Sequence, residues 1–317
     1  MLNDLNDNQL EAVKCGDGPT LVIAGAGSGK TGVLTTRIAY LIRKKKVNPK
    51  SILAITFTNK AAQEMKSRVC DMLGNVGNII QISTFHSFGL TIIKENLEKF
   101  NLTKEFTILD SDDSLLIIKK IMKDYDVDIK VYNPKAIKSR ISSAKNEMMS
   151  PHDLEKFSVT DLDEKTCFIY EKYEQKLHNN NSLDFDDLLL LPIQVLKNDK
   201  ELLDKYQERF KYILIDEYQD TNEVQYKLTK ILSEKYKNIY VVGDESQSIY
   251  SFRGSNYRNI LNFERDYKNA RTILLEQNYR STQNILNAAN QVIENNQNRK
   301  DKNLWSDKGE GDKITYY

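Results

Sequence analysis

Residues Ala24-Gly25-Ala26-Gly27-Ser28-Gly29-Lys30-Thr31 place glycines, a lysine and a hydroxyl in one short run. Such a run can wrap a polyphosphate. Its glycines let backbone N–H groups turn inward, and a helix beginning at the lysine adds the positive end of its dipole. The expected contacts are Ala24, Gly25, Ala26, Gly27, Ser28 and Gly29 through the loop, with Lys30 on the β- and γ-phosphates and Thr31 as a Mg²⁺ ligand. Ala24 stands where glycine is usual, a mild variation. The second group is Asp216-Glu217-Tyr218-Gln219-Asp220, directly after Tyr212-Ile213-Leu214-Ile215. There Asp216 is expected to hold Mg²⁺, and Glu217 to polarise an attacking water as general base. Each group has a bland alternative: a chance glycine-rich turn for the first, a solvated helix start for the second. Their context decides for chemistry.

That context is a set of strands. Thr20–Ala24 is a short apolar run ending in glycines and reads as a buried strand. Spacing of Val33, Ile38, Leu41 and Ile42 predicts a helix from about 30 to 44, ended by Arg43-Lys44-Lys45-Lys46. Ser51–Phe57 and Ile79–Thr84 read as strands, with a helix over Asn59–Leu73 between them. Strand alternating with helix is the pattern of a parallel α/β sheet. From about 105 to 181 glycine vanishes and helical spacing dominates, which predicts an all-helical insertion. Tyr212–Asp216, Asn238–Asp244 and Thr272–Leu275 then resume the strands. Asn179–Asn181 and the asparagine-rich stretch near 290–303 read as loops. The expected fold is therefore α/β, a P-loop domain with a parallel sheet interrupted by a helical subdomain.

Composition narrows the field further. A chain of 317 residues suggests roughly two domains. Lys+Arg is 46 and Asp+Glu 45, so a globally basic nucleic-acid coat is excluded and any such site is a local patch. Within the insertion, 129–145 carries Lys130, Lys135, Lys138, Arg140 and Lys145 without an acid. A solvated face or a DNA-backbone contact would explain that run. Cys15, Cys70 and Cys167 stand far apart and the histidines are His86, His152 and His178, so neither a disulfide framework nor a zinc site is expected. The first residues lack the pattern of a secretory leader, and the longest apolar run, 188–195, is too short to span a bilayer. A reducing cytosol is the expected compartment.

The sequence resembles the N-terminal motor half of a UvrD/Rep/PcrA-type superfamily 1 DNA helicase, with a RecA-like fold. The resemblance runs in order through Leu5–Val13, the phosphate loop, Ile55–Ala62, Ser83–Phe88, Leu183–Leu189, Asp216–Asn222, Val241–Gly254 and Gln277–Thr282. It implies that Gln9 reads the adenine edge, Tyr279 stacks on adenine, and Gln247 contacts the γ-phosphate or the attacking water. It also implies that Arg280 is an arginine finger, a cation that neutralises charge on the transferring phosphoryl group. Phe57, Asn59, Thr84 and His86 fall at strand ends where the family meets single-stranded DNA. For Phe57 a core role, and for His86 a structural hydrogen bond, stay open. Tyr250 and Phe252 alternate with Ser251 and Arg253, which offers two flat faces for bases and a cation for phosphate, or else a core aromatic pair. One departure is Gly32, where the family usually carries a basic residue over the other face of adenine.

By that resemblance the chain is expected to belong to an ATP- and Mg²⁺-dependent single-stranded DNA translocase and 3′-to-5′ helicase, working in the bacterial cytosol or nucleoid. Its expected partners are single strands, single/double-strand junctions and repair or replication proteins. The expected domains are 1–104 with 182–277 for the motor, 105–181 for the insertion, and 278–317 as the start of a second RecA-like domain. As a fragment it is expected to bind nucleotide weakly and to unwind nothing. Three alternatives stay open. One is the helicase portion of a RecB/AddA-like helicase–nuclease. Another is a nucleotide- or DNA-binding fragment without turnover. The third is a P-loop small-molecule kinase, which the gap from Lys30 to Asp216 disfavours.

Overall fold

A computed structural model describes residues 2–249, 254–296, 300 and 302–315. It divides into two compact units, Met1–Thr84 with Glu201–Thr221 and Thr229–Tyr317, and Phe85–Lys200 with Asn222–Leu228.

The first unit is built on six parallel strands: β1 (Thr20–Ala24), β2 (Ile52–Thr56), β3 (Gln81–Thr84), and, after the short β4 (Thr107–Ile108) and β5 (Ser182–Leu183) of the second unit, β6 (Tyr212–Ile215), β7 (Ile239–Gly243) and β8 (Arg271–Leu275). Their order in the sheet is β3-β2-β6-β7-β1-β8. Every pairing is parallel, for instance Leu21 opposite Val241 and Leu53 opposite Ile213. Residues of β1, β2 and β7 are buried throughout, which is why their sequences are continuous apolar runs and do not alternate. One core gathers Ala12, Val22, Leu34, Ile38, Ala54, Met65, Leu214 and Val242.

Local signals set the helix ends. Asn6 and Gln9 form a capping box for Asp7–Lys14, and Thr58 caps Asn59–Leu73 through the Ala61 N–H. Helix Lys30–Arg43 differs. Its N-cap is Gly29 at φ 84°, a left-handed conformation that a side chain would strain, and no side chain caps its N–H groups. Uncapped N–H groups at a helix start can meet an anion.

The second unit is mainly helical, apart from the parallel pairing of β4 with β5. Asp110, Ser150 and Thr160 each start a helix with a capping box, and Asn133 caps the helix begun by Pro134. Its core gathers Ile118, Met122, Ile137, Ile141, Ile169, Tyr170 and Tyr173. Two loop expectations need correction. Helix Asp161–Asn179 takes in the first residue of the Asn179–Asn181 loop. Helix Gln283–Glu294 takes in the start of the asparagine-rich stretch, because its apolar positions keep helical spacing and bury Leu286. No helix among the described residues is long and apolar enough to cross a membrane.

Candidate functional site

Parallel strands end together, so the loops after β1, β6, β7 and β8 meet at one edge of the sheet, the place where open α/β sheets collect ligand chemistry. The phosphate loop follows β1 there. Gly25 donates its N–H to the Leu275 carbonyl of β8 (3.2 Å), Ser28 Oγ donates to the Gly25 carbonyl (2.7 Å), and Gln9 Nε2 donates to the Ser28 carbonyl (2.9 Å). Gln9 Oε1 accepts the Asn6 N–H (3.1 Å), so Gln9 is oriented at both polar ends.

The acidic pair faces this loop. Thr31 Oγ1 lies 3.1 Å from Asp216 Oδ2, and Lys30 Nζ lies 3.1 Å from Glu217 Oε2 and 3.3 Å from Gln247 Oε1. Burial, reinforced by the neighbouring Glu217 charge, raises the Asp216 carboxyl to about 6. Burial and the same neighbour raise Asp220 to about 6 as well. Two buried acids held high beside a third make a cluster that favours a cation. Among the described residues no three His, Cys, Asp or Glu side chains group to hold a metal by themselves. One hydroxyl and one carboxylate suit Mg²⁺, which takes most of its remaining oxygens from water and substrate phosphates. The residues therefore fit the ion expected from sequence.

Several orienting residues escaped the sequence reading. Gln219 Nε2 donates to Glu217 Oε2 (2.9 Å) and to Asp220 Oδ2 (3.2 Å), while its Oε1 accepts the Asp244 N–H (2.9 Å). It fixes Glu217, whose backbone is left-handed at φ 51°. Asn278 Nδ2 donates to the Ala26 carbonyl (2.5 Å), and its Oδ1 accepts the N–H groups of Arg280 and Ser281, each at 2.7 Å. Tyr279 N–H donates to the Gly27 carbonyl (2.9 Å), and its hydroxyl accepts from Asn6 Nδ2 (2.8 Å). Tyr279 is 44% exposed at this edge, and Arg280 is exposed beside it. A Cβ built on Gly32 would meet nothing within 4 Å.

The expected DNA contacts are placed unevenly. In the first unit Phe57, half-buried, and Asn59, exposed, follow β2, while buried Thr84 ends β3 with its Oγ1 3.5 Å from Asn59 Oδ1. In the second unit His86 stacks on Phe185 with ring centroids 4.0 Å apart. Burial lowers His86 to about 4, so it is uncharged at neutral pH and any phosphate contact it made would be through a neutral N–H. Phe185 itself, 56% exposed, had no role in the sequence reading. Tyr250, Phe252 and Arg253 lie outside the described residues. The basic run 129–145 is not a uniform solvated face. Lys145 is fully buried, 2.8 Å from each of Glu174, Asp184 and Asp187, and Arg140 pairs with Asp163.

Comparison with known proteins follows the same lines. The family model described as UvrD/REP helicase N-terminal domain matches residues 5–268, and that of the UvrD-like helicase C-terminal domain matches 273–317. The chain is 52% identical over all its 317 residues to the ATP-dependent DNA helicase PcrA of Bacillus subtilis (strain 168), covering 43% of that protein. It is 48% identical over the same length to PcrA of Staphylococcus aureus (strain NCTC 8325 / PS 47), covering 43%. Against PcrA of Staphylococcus epidermidis RP62A the figures are 48% and 44%. The chain thus spans less than half the length of the curated relatives it matches. The match sets aside the small-molecule kinase.

Proposed function

From the premise that this chain belongs to the UvrD/REP helicase family, we propose that it supplies the ATP-hydrolysing core of a single-stranded DNA translocase and 3′-to-5′ helicase. The observation that carries the proposal is the convergence of Lys30, Thr31, Asp216, Glu217 and Gln247 at one edge of the sheet, each within hydrogen-bond reach of another. Lys30 and the uncapped N–H groups of its helix hold the β- and γ-phosphates. Thr31 and Asp216 would hold Mg²⁺, which would supply positive charge against that developing on the phosphates. Glu217, aimed by Gln219, takes the proton of the attacking water, and Gln247 orients that water against the γ-phosphate. Tyr279 presents its ring to adenine and Gln9 its amide. Arg280 follows Asn278 on the same loop and brings a cation to the transferring group.

Phe57, Asn59, Thr84, His86, Tyr250, Phe252 and Arg253 are each assigned to contact with single-stranded DNA in this reading, with junctions as the substrate and repair or replication proteins as partners in a bacterial cytosol. The domain plan stated from sequence belongs to the same proposal. The separate core around Ile118 and Tyr170 supports the insertion, and the second family match, from residue 273, supports a second motor domain. ATP hydrolysis by the full-length protein, measured with and without a single-stranded oligonucleotide, tests the proposal. Stimulation by DNA and its loss in Lys30→Ala are expected. A rate indifferent to DNA would remove the translocase reading.

A further inference from the structure

Lys302 lies on the segment that follows the helix after Arg280, yet its side chain is only 5% exposed. Its Nζ pairs with Asp244 Oδ1, lies 2.8 Å from Glu245 Oε1 and 3.4 Å from Ser246 Oγ. The two carboxylates are themselves buried, at 3% and 2% side-chain exposure. Glu245 Oε2 has no hydrogen-bond partner among the described residues, and among them Lys302 is the cation that pairs with both acids. Asp244 in turn holds Gln247: its Oδ2 accepts from Gln247 Nε2, which turns Gln247 Oε1 towards Lys30. The same aspartate donates its N–H to Gln219, the residue that aims Glu217.

The segment carrying Lys302 is tied to the other side of the site as well. Trp305 N–H donates to the Glu276 carbonyl (3.1 Å), and Asn278 N–H donates to the Trp305 carbonyl (2.7 Å), two residues before Arg280. Leu304 packs so closely on the phosphate loop that a Cβ on Gly25 would fall 2.1 Å from its Cδ2. One strap thus touches the phosphate loop, the Arg280 loop and the loop of Gln247.

We propose that Lys302 is a positioning residue for hydrolysis, which holds Gln247 through Asp244 and links the place of Gln247 to that of Arg280. The inference rests on the ATP-hydrolysing reading above. In the full-length protein, Lys302→Met should lower kcat for DNA-stimulated hydrolysis by about 10–100-fold, the scale of a misplaced group. The KM for ATP should change less than about threefold, since the lost contact orients a group and does not bind substrate. Lys302→Arg should recover part of the rate. In a Gln247→Ala background, Lys302→Met should add almost nothing, because two residues acting through one contact are not additive. A merely structural lysine would slow both backgrounds alike. Should Lys302→Met alone fail to fold, Lys302→Met/Glu245→Gln removes the strap's cation together with one acid, and slow turnover is again expected. Parent-level kcat in folded Lys302→Met or Lys302→Met/Glu245→Gln, or effects that multiply when Lys302→Met is combined with Gln247→Ala, would overturn the inference while leaving the site reading intact. Parent-level turnover by Gln247→Ala would sink both.

Discussion

Glu217→Gln separates binding from chemistry at this site. Glutamine keeps the shape of the side chain and can still meet Gln219, but it neither accepts a proton from water nor pairs with Lys30. Loss of a general base costs about 10²–10⁴-fold in turnover. The effect on binding has the opposite sign. At 3.1 Å the Glu217–Lys30 attraction is about 5 kcal/mol for an effective dielectric near 20. Because the Glu217 side chain is 34% exposed, solvent screening reduces that to about 1 kcal/mol. A polyphosphate that takes Lys30 away from Glu217 must overcome this attraction in the parent and not in the variant. Nucleotide should therefore bind up to about fivefold more tightly to Glu217→Gln. The assays are steady-state ATP hydrolysis with oligonucleotide and titration with a fluorescent adenine nucleotide. Hydrolysis at the parent rate would refute the role of Glu217. Clearly weaker binding would refute the argument that Lys30 is shared between Glu217 and the phosphates.

Three further outcomes are expected. Gly32→Arg should tighten ATP binding by about 0.5–2 kcal/mol through a cation over the open adenine face, since the position has room for a side chain; Gly32→Ala, which improves the helix without the cation, should bind ATP like the parent. The folded His86 ring has its pKa lowered from 6.5 to about 4, so its stabilising contribution is complete above 6.5 and is lost as pH falls towards 4. At about 1.4 kcal/mol for each unit of pKa, denaturant titrations of the parent between those pH values should lose on the order of 3 kcal/mol that His86→Phe retains. Lys145→Met leaves Glu174, Asp184 and Asp187 without their buried cation, which should cost about 3–5 kcal/mol and lower the melting temperature by on the order of 10 °C; an unchanged melt would show that the three acids do not depend on it.

The buried strands were legible because both faces of the sheet are covered, so β1, β2 and β7 are buried at every position and carry near-continuous apolar runs that stand out against their polar flanks. The chemical groups were legible for a related reason. In the proposed site the groups assigned to phosphate, metal and water follow strand ends, so Lys30, Thr31, Asp216 and Glu217 fall into short runs. Lys145 was misjudged because charge was counted locally: no acid lies within 129–145, while its partners Asp184 and Asp187 come 39 and 42 residues later.

The same separation hides the residues that orient the site. Gln219 meets Asp244 across 25 positions, Lys302 meets Asp244 across 58, and Asn278 meets Ala26 across 252. An orienting contact needs a donor or acceptor at one point in space, and several residue types can place one there from any loop that passes. Its sequence signature is therefore a single polar residue among others, as Lys302 is in an asparagine- and lysine-rich stretch. Only the folded sheet, by bringing four loops to one edge, distinguishes that lysine from the other polar residues of the stretch. The contact partners of such orienting residues are accordingly what a motif leaves unstated, even where, as with Gln219 and Asn278, the residue itself lies inside one, although misplacing a reacting group by about 1 Å costs about 10²-fold in rate.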